Sequence, residues 1–229
     1  MKDIKASVYE DLKTRILTMD LAPDESLDEA TLSIRYGISR TPIREIFRLL
    51  EGEGYVDIRE NRGARVVPMD YTRLRNFFQA APLIYAAIGR LAAHHFTPKQ
   101  LIDLKDTQVR YRKATVNKDP STMILQNNRF HAIMGEMSGN TFLQVSLDRL
   151  LIDHARTGYT VYRPHNGEMR RHLEQSVAEH DLFIEAIERH DEEAVASLVF
   201  DHWEPSRRKM EMYISPQALS ADRFTVIGH

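Results

Sequence analysis

The chain has 229 residues, 42% of them hydrophobic, with no cysteine and a formal net charge of −2. That length holds one large domain or two small ones around a proper core, and the missing cysteines exclude disulfides and thiolate metal sites, which points to a reducing cytoplasm. The charged start, Met1-Lys-Asp-Ile-Lys-Ala-Ser7, lacks a secretory apolar stretch. The longest apolar run, Ala80 to Gly89, contains Pro82, stops at Arg90 and is too short to span a bilayer, so no membrane partner is expected.

The charge sum argues against a nucleic-acid binder, but its placement argues for one. Acids gather between Asp20 and Glu29, whereas Arg35 to Arg48 holds four arginines against one acid, Glu45. Arg59, Arg62 and Arg65 add a second basic group. Such segregation suits one face turned to phosphates and another to water.

Val8, Leu12, Ile16 and Leu17 recur at helical spacing and predict a first amphipathic helix. Leu21-Ala-Pro-Asp-Glu-Ser-Leu27 reads as a turn, and Asp28 as the cap of a second helix that carries Leu32 and ends near Gly37. A third helix follows, anchored by Ile38 and Ile43, with Ser39 and Thr41 as N-cap candidates and Pro42 in its first turn. It sets Arg40, Arg44 and Arg48 at intervals of four, which makes one cationic stripe. Gly52 and Gly54 end it. Tyr55-Val-Asp-Ile-Arg59 alternates as a strand, Glu60-Asn-Arg-Gly63 turns, and Ala64-Arg-Val-Val67 forms a second strand. Three helices and a hairpin over residues 1–70 make a winged helix-turn-helix, with the wing tip Asn61-Arg62-Gly63 free to reach a minor groove or a phosphate. An arginine stripe alone is usually a solvated helix face. The glycine turn, the capped start and the basic hairpin arriving in order favour DNA.

From about Tyr71 the pattern is wholly helical. Segments 72–96, 98–117, 120–138, 141–161, 167–190 and 192–213 are separated by Thr97-Pro98, Asp119-Pro120, Gly139-Asn140 and Pro164-His-Asn-Gly167. Pro82 is expected to kink or interrupt the first. The protein is thus mainly α: the winged module, an antiparallel all-α bundle over 71–215, and a tail over 216–229.

Asn127 and His131, four residues apart, share a helix face, while His180 and His202 sit on two later helices. One amide oxygen and three imidazoles can converge on a divalent transition metal, Zn or Ni ahead of Mn or Fe, and leave positions open for water or a ligand. The plainer reading makes each a satisfied polar residue. Glu136 and Glu179 lie near His131 and His180, but periodicity points them elsewhere. His94 and His95 read as surface residues, and His154, His165, His172, His190 and His229 show no convergent partner. A metal hydrolase needs a base beside its bound water. With no nucleophile motif, phosphate loop or dinucleotide glycine pattern either, an enzyme is not expected.

Ser39-Arg-Thr-Pro-Ile-Arg-Glu45, Leu49-Leu-Glu-Gly-Glu-Gly-Tyr-Val56 and Asn61-Arg-Gly-Ala-Arg-Val66 together resemble the GntR family of bacterial transcription regulators. The resemblance implies that Arg40 and Arg44 touch bases or phosphates, with Arg48 and Arg62 nearby. It implies that Ser39 and Thr41 fix phosphates and that Gly63 lets the wing approach. Some relatives have an arginine just after the glutamate of the second helix; here that residue is Ala30. Asn127-Asn-Arg-Phe-His131, Met137-Ser-Gly-Asn140, Glu179-His180 and His202 resemble the FCD effector domain of the FadR branch. Many members hold a divalent metal with an Asp and three His, which implies Asn127, His131, His180 and His202 as ligands, with Asn127 in place of the commoner Asp. Where many relatives have an Arg and a Glu in the first bundle helix, this chain has Ala81 and Tyr85.

The expected protein is a cytoplasmic, ligand-responsive homodimer. It binds a pseudo-palindromic double-stranded operator, and an organic acid, a carboxylate, enters the bundle at or beside the metal. An alternative keeps the regulator and lets the histidines hold an acidic effector directly, without metal.

Overall fold

The computed structural model describes residues 2–59, 63–164 and 167–214. Helix α1 (Lys2–Leu17) buries Val8, Leu12 and Ile16. Helix α2 (Glu29–Tyr36) starts where the Asp28 side chain accepts from Thr31 N at 2.8 Å, and stops at Gly37, whose φ of 65° supplies the left-handed turn. Helix α3 (Arg40–Glu53) buries Ile43, Ile46, Phe47 and Leu50, so its apolar side packs inward and the arginines face out. Ser39 is its N-cap by backbone, with no side-chain cap bond. Strands β2 (Val56–Arg59) and β3 (Gly63–Val66) pair antiparallel with Val56 opposite Val66 and Arg59 opposite Gly63.

One element departs from expectation. The segment read as a turn also holds strand β1 (Ser26–Leu27), which pairs with β3 and makes the sheet three-stranded, in the order β1-β3-β2. Asp24 N donates to Val66 O, and Val66 N to Glu25 O, which extends the pairing. A two-residue strand has no periodicity of its own; its partner creates it. Gly63 sits at this junction with φ 77°, and a Cβ there would collide with the Leu27 carbonyl oxygen.

The rest is a bundle: α4 (Tyr71–His95), α5 (Pro98–Asn117), α6 (Pro120–Met137), α7 (Thr141–Val161), α8 (Gly167–Glu188) and α9 (Glu192–Ile214). The expected caps form: Thr97 with Gln100 makes a capping box, and Asp119 accepts from Thr122 N. Pro82 does not interrupt α4, which runs continuously through it. Phe77, Ala81, Tyr85 and Ile88 on either side are buried, and this packing outweighs the one helical bond that proline forfeits. Helix α4 lies along α9 and against α6 and α7, while α5 packs on α6 and α8.

Two apolar cores result. One joins Phe77, Tyr85, Ile88, Phe130, Leu151, Phe183, Val195 and Trp203 inside the bundle. The other crosses the module boundary, packing Leu12, Ile16, Ile46 and Leu50 in one cluster with Tyr111, Ile124, Ile152 and Tyr162. The winged module therefore sits on α6 and α7 through α1.

Candidate DNA-reading helix and histidine site

Ser39, Arg40, Thr41, Arg44 and Arg48 are all exposed along the start and outer face of α3. Arg44 Nε donates to both Glu29 oxygens, at 2.9 and 2.8 Å. Its side chain stays 59% exposed. The pair holds the guanidinium by one edge and leaves its outer nitrogens free for an acceptor. Lys5 of α1 takes the acid of the stripe, Glu45, at 2.5 Å. Among the described residues neither Arg40 nor Arg48 is in a salt bridge. Arg62 and Asn61 lie outside the described residues. Gly63 is described, and its turn geometry serves the close contact with Leu27 noted above.

Inside the bundle, α6 presents Asn127 and His131, each 2% exposed. His180 of α8 is fully buried, with its ring stacked on Phe130 at 4.0 Å. The His131 ring centroid lies 5.3 Å from that of His180 and 5.8 Å from that of His202 on α9. His154 of α7, which the sequence left without a partner, lies 4.8 Å from His131 by ring centroids and 6.4 Å from His202. One ring nitrogen from each of His131, His154 and His202 falls within 4.8 Å of the others. His180 is outside that tightest trio yet adjoins it.

The outer contacts fix the rings. Gln108 Nε2 donates to Val177 O and Asp181 Oδ1, at 2.8 and 3.0 Å. Its Oε1 is then an acceptor for His180 Nδ1 at 3.1 Å. His180 must carry its proton on Nδ1, which leaves Nε2 with a lone pair. His202 Nδ1 meets Glu179 Oε2 at 2.5 Å and follows the same logic. Glu179 is thus part of the site, against the periodicity argument: α8 turns it sideways toward α9, whereas Glu136 pairs with Arg129. His154 Nδ1 lies 2.8 Å from the Tyr85 hydroxyl.

Burial pushes the His131 and His180 imidazoles well below the usual histidine range, and the neighbouring histidines add to it. His154, surrounded by protein although its surface keeps some solvent contact, is pushed down to about 3 by burial and by His202. Burial raises the Glu179 carboxyl, but hydrogen bonds from His202 and Gln175 outweigh it and leave it below its ordinary value. Asn127 Oδ1, both His131 nitrogens and His180 Nε2 are buried without a hydrogen-bond partner. Buried polar atoms are normally satisfied. Neutral imidazoles with oriented outer nitrogens are what a divalent transition metal requires, so the donor set fits one. Of the other histidines, His94 and His95 are exposed as expected, His190 Nδ1 meets Ala93 O, and His165 and His229 lie outside the described residues.

The turn of α7 that carries His154 also grips the start of the bundle. Arg156, with no exposed side-chain surface, bonds Val67 O at 2.8 Å, Pro68 O at 3.1 Å and Asp153 Oδ1 at 2.5 Å. Arg73 takes the other Asp153 oxygen at 2.8 Å. Arg149 donates to Gly52 O at 2.9 Å, across the module boundary.

This arrangement has known counterparts. Residues 4–66 match the family model described as bacterial regulatory proteins, gntR family, and residues 77–205 match the FCD domain. The chain belongs to the GntR family. It is a GntR-family transcriptional regulator whose helical half is an FCD effector-binding domain. The HTH-type transcriptional repressor RspR of Escherichia coli (strain K12) is 25% identical over 202 residues, which span 87% of this chain and 85% of RspR. The Exu regulon transcriptional regulator of the same strain is 26% identical over 212 residues, which span 86% and 80%. The solved structure of E. coli McbR/YncC matches with a TM-score of 0.76 at 19% identity and covers 92% of this chain and 98% of that one, a likeness of fold. Among the described residues no helix is long and apolar enough to cross a membrane.

Proposed function

We propose that this GntR regulator binds a pseudo-palindromic operator as a homodimer and that an organic anion entering its FCD domain alters DNA affinity. Each subunit would set α3 in a major groove. Ser39 and Thr41 fix phosphates, while Arg40 and Arg44 read base edges or phosphates with Arg48 and Arg62 supporting. Glu29 supports this reading, because it orients Arg44 before DNA arrives.

Asn127, His131, His180 and His202 would hold a divalent metal, Zn or Ni ahead of Mn or Fe. The observation that carries this is the set of buried, unpartnered atoms on Asn127, His131 and His180. Once bound, the metal supplies a positive centre for a carboxylate oxygen. Gln108 and Glu179 orient two of the imidazoles. Trp203, 4% exposed, has a buried Nε1–H without a partner and offers a donor to an anion. The effector must prefer one arrangement of the subunits, or it cannot change DNA affinity.

Operator selection from genomic fragments, followed by a screen of carboxylate metabolites for release, tests the regulator. Metal analysis before and after chelation tests the site. A stoichiometric metal lost in His131→Ala supports it. A metal-free wild type that still responds to effector shifts the histidines to direct contact with the acid.

A further inference from the structure

Resting on the metal reading above, we propose that His154 is a metal ligand in this chain, so that imidazoles from α6, α7, α8 and α9 hold the ion with no anionic ligand among them. The trio with mutual approach within 4.8 Å is His131, His154 and His202, not a set that omits His154. Two nitrogens bound to one zinc at about 2.0–2.1 Å each stand at most about 4.2 Å apart. Small side-chain rotations therefore bring all three onto one ion. His180 Nε2 adds a fourth, since its ring lies 5.3 Å from His131 and 5.9 Å from His202 and the nitrogen has no other partner.

His154 also has the outer support of a ligand histidine. Its Nδ1 meets the hydroxyl of Tyr85, a buried residue whose ring packs edge-on against His131, His154 and Trp203. The hydroxyl accepts from Nδ1–H when Nε2 binds the ion, the arrangement that fixes ring and tautomer in metal sites.

The consequence is a neutral donor set. Asn127 brings an amide oxygen, and Glu179, the carboxylate on this cluster, is engaged on His202 Nδ1. An imidazole-rich set selects Zn, Ni or Cu over Mn or Mg. Its uncompensated charge also makes an anion the natural occupant of any remaining position.

X-ray absorption on the full chain, stripped by chelator and reloaded with one equivalent of Zn²⁺, counts the imidazoles directly. The expected wild-type count is four, retained in Asn127→Ala and reduced to three in His154→Ala. Competition with a chelator should show zinc binding weakened in His154→Ala as severely as in His131→Ala, by more than the about 10–100-fold loss expected for Tyr85→Phe, which removes only outer support. A wild-type count of three, with His154→Ala binding zinc as tightly as wild type, overturns the His154 assignment and leaves the metal reading intact. A wild type that takes up no zinc overturns both. The wild-type count needs no variant, so misfolding of His154→Ala does not remove the test.

Discussion

Replacing Arg156 by Met tests whether α7 clamps the junction between the two domains. Methionine keeps most of the aliphatic stem and removes the guanidinium. The loss strips Val67 O and Pro68 O of their donor and leaves Asp153, whose side chain is 7% exposed, with Arg73 as its remaining partner. Breaking a buried pair from one side costs about 3–5 kcal/mol. Arg73 still compensates one oxygen of Asp153, which moves the cost to the lower end, about 3 kcal/mol. For a chain of this size that is a fall of roughly 6–12 °C in Tm. Thermal melts followed by circular dichroism read it, with Asp153→Asn as a milder control because the amide still accepts from one arginine. The variant should also lose much of any effector-dependent change in operator affinity while retaining the affinity of the free protein, as measured by fluorescence anisotropy. A melt within about 2 °C of wild type would refute the clamp, since changes that small are ordinary for surface positions.

Arg44→Ala should weaken specific operator binding by about 1–3 kcal/mol, roughly 5–150-fold, with the melt unchanged; an unaltered footprint would remove α3 as the reading helix. Gly63→Ala forces a side chain onto a φ of 77° against the Leu27 carbonyl and should lower stability by about 1–3 kcal/mol in urea unfolding. Wild-type stability there would show that β1 and β3 separate easily. The depressed histidines set a pH dependence for the metal-free protein. Below about pH 6.5 the unfolded chain takes up protons that folded His131, His154 and His180 refuse. Stability is therefore complete above that pH and declines below it, by at most about 1.4 kcal/mol per pH unit for each such histidine. Urea midpoints measured from pH 7.5 to pH 5 should fall, and a flat profile would contradict the burial of these rings.

Helix α3 was legible because its signals are local. The Arg40, Arg44 and Arg48 spacing, the Gly37 turn and Ile43 all lie within a few turns of one another, and the structure puts the arginines and Ile43 in α3 with Gly37 at the turn before it. The bundle helices were legible to within two residues for the same reason, through caps such as Asp119 and Thr97. Strand β1 was not, because Ser26 and Leu27 become a strand only against Ala64 and Arg65. His154 was missed because helical periodicity gives a face and not a distance to other helices. One signal was available: Leu147, Leu151 and His154 share a buried or partly buried stripe of α7, so a titratable ring interrupts an apolar face. Glu179 was misjudged by the same limit, since its contact is with the next helix. Arg156 carries no signal of its own in the sequence, because only the fold brings the Val67 and Pro68 carbonyls to it.

His154 and Arg156 meet on one helical turn. Asp153, His154 and Arg156 are consecutive or nearly so on α7, but they face different ways: His154 toward the histidines of α6 and α9, Asp153 and Arg156 toward the residues that follow β3. Helix α6 divides its faces likewise. His131 points to the site, while Asn128, Arg129 and Glu136 line a cleft of about 500 Å³ shared with Lys13, Glu53 and Tyr55 of the winged domain. A packed helix moves as a body rather than bending continuously. Drawing His154 and His131 toward a common ion or anion would therefore shift the Arg156 grip on Val67 and Pro68 and the cleft beneath α1 and α3. By linkage, DNA that favours one position of the winged domain must change ligand affinity by the same factor as the ligand changes DNA affinity. Such a coupling would need no separate relay, because two of the four helices that carry the histidines, α6 and α7, are the ones on which the winged domain rests.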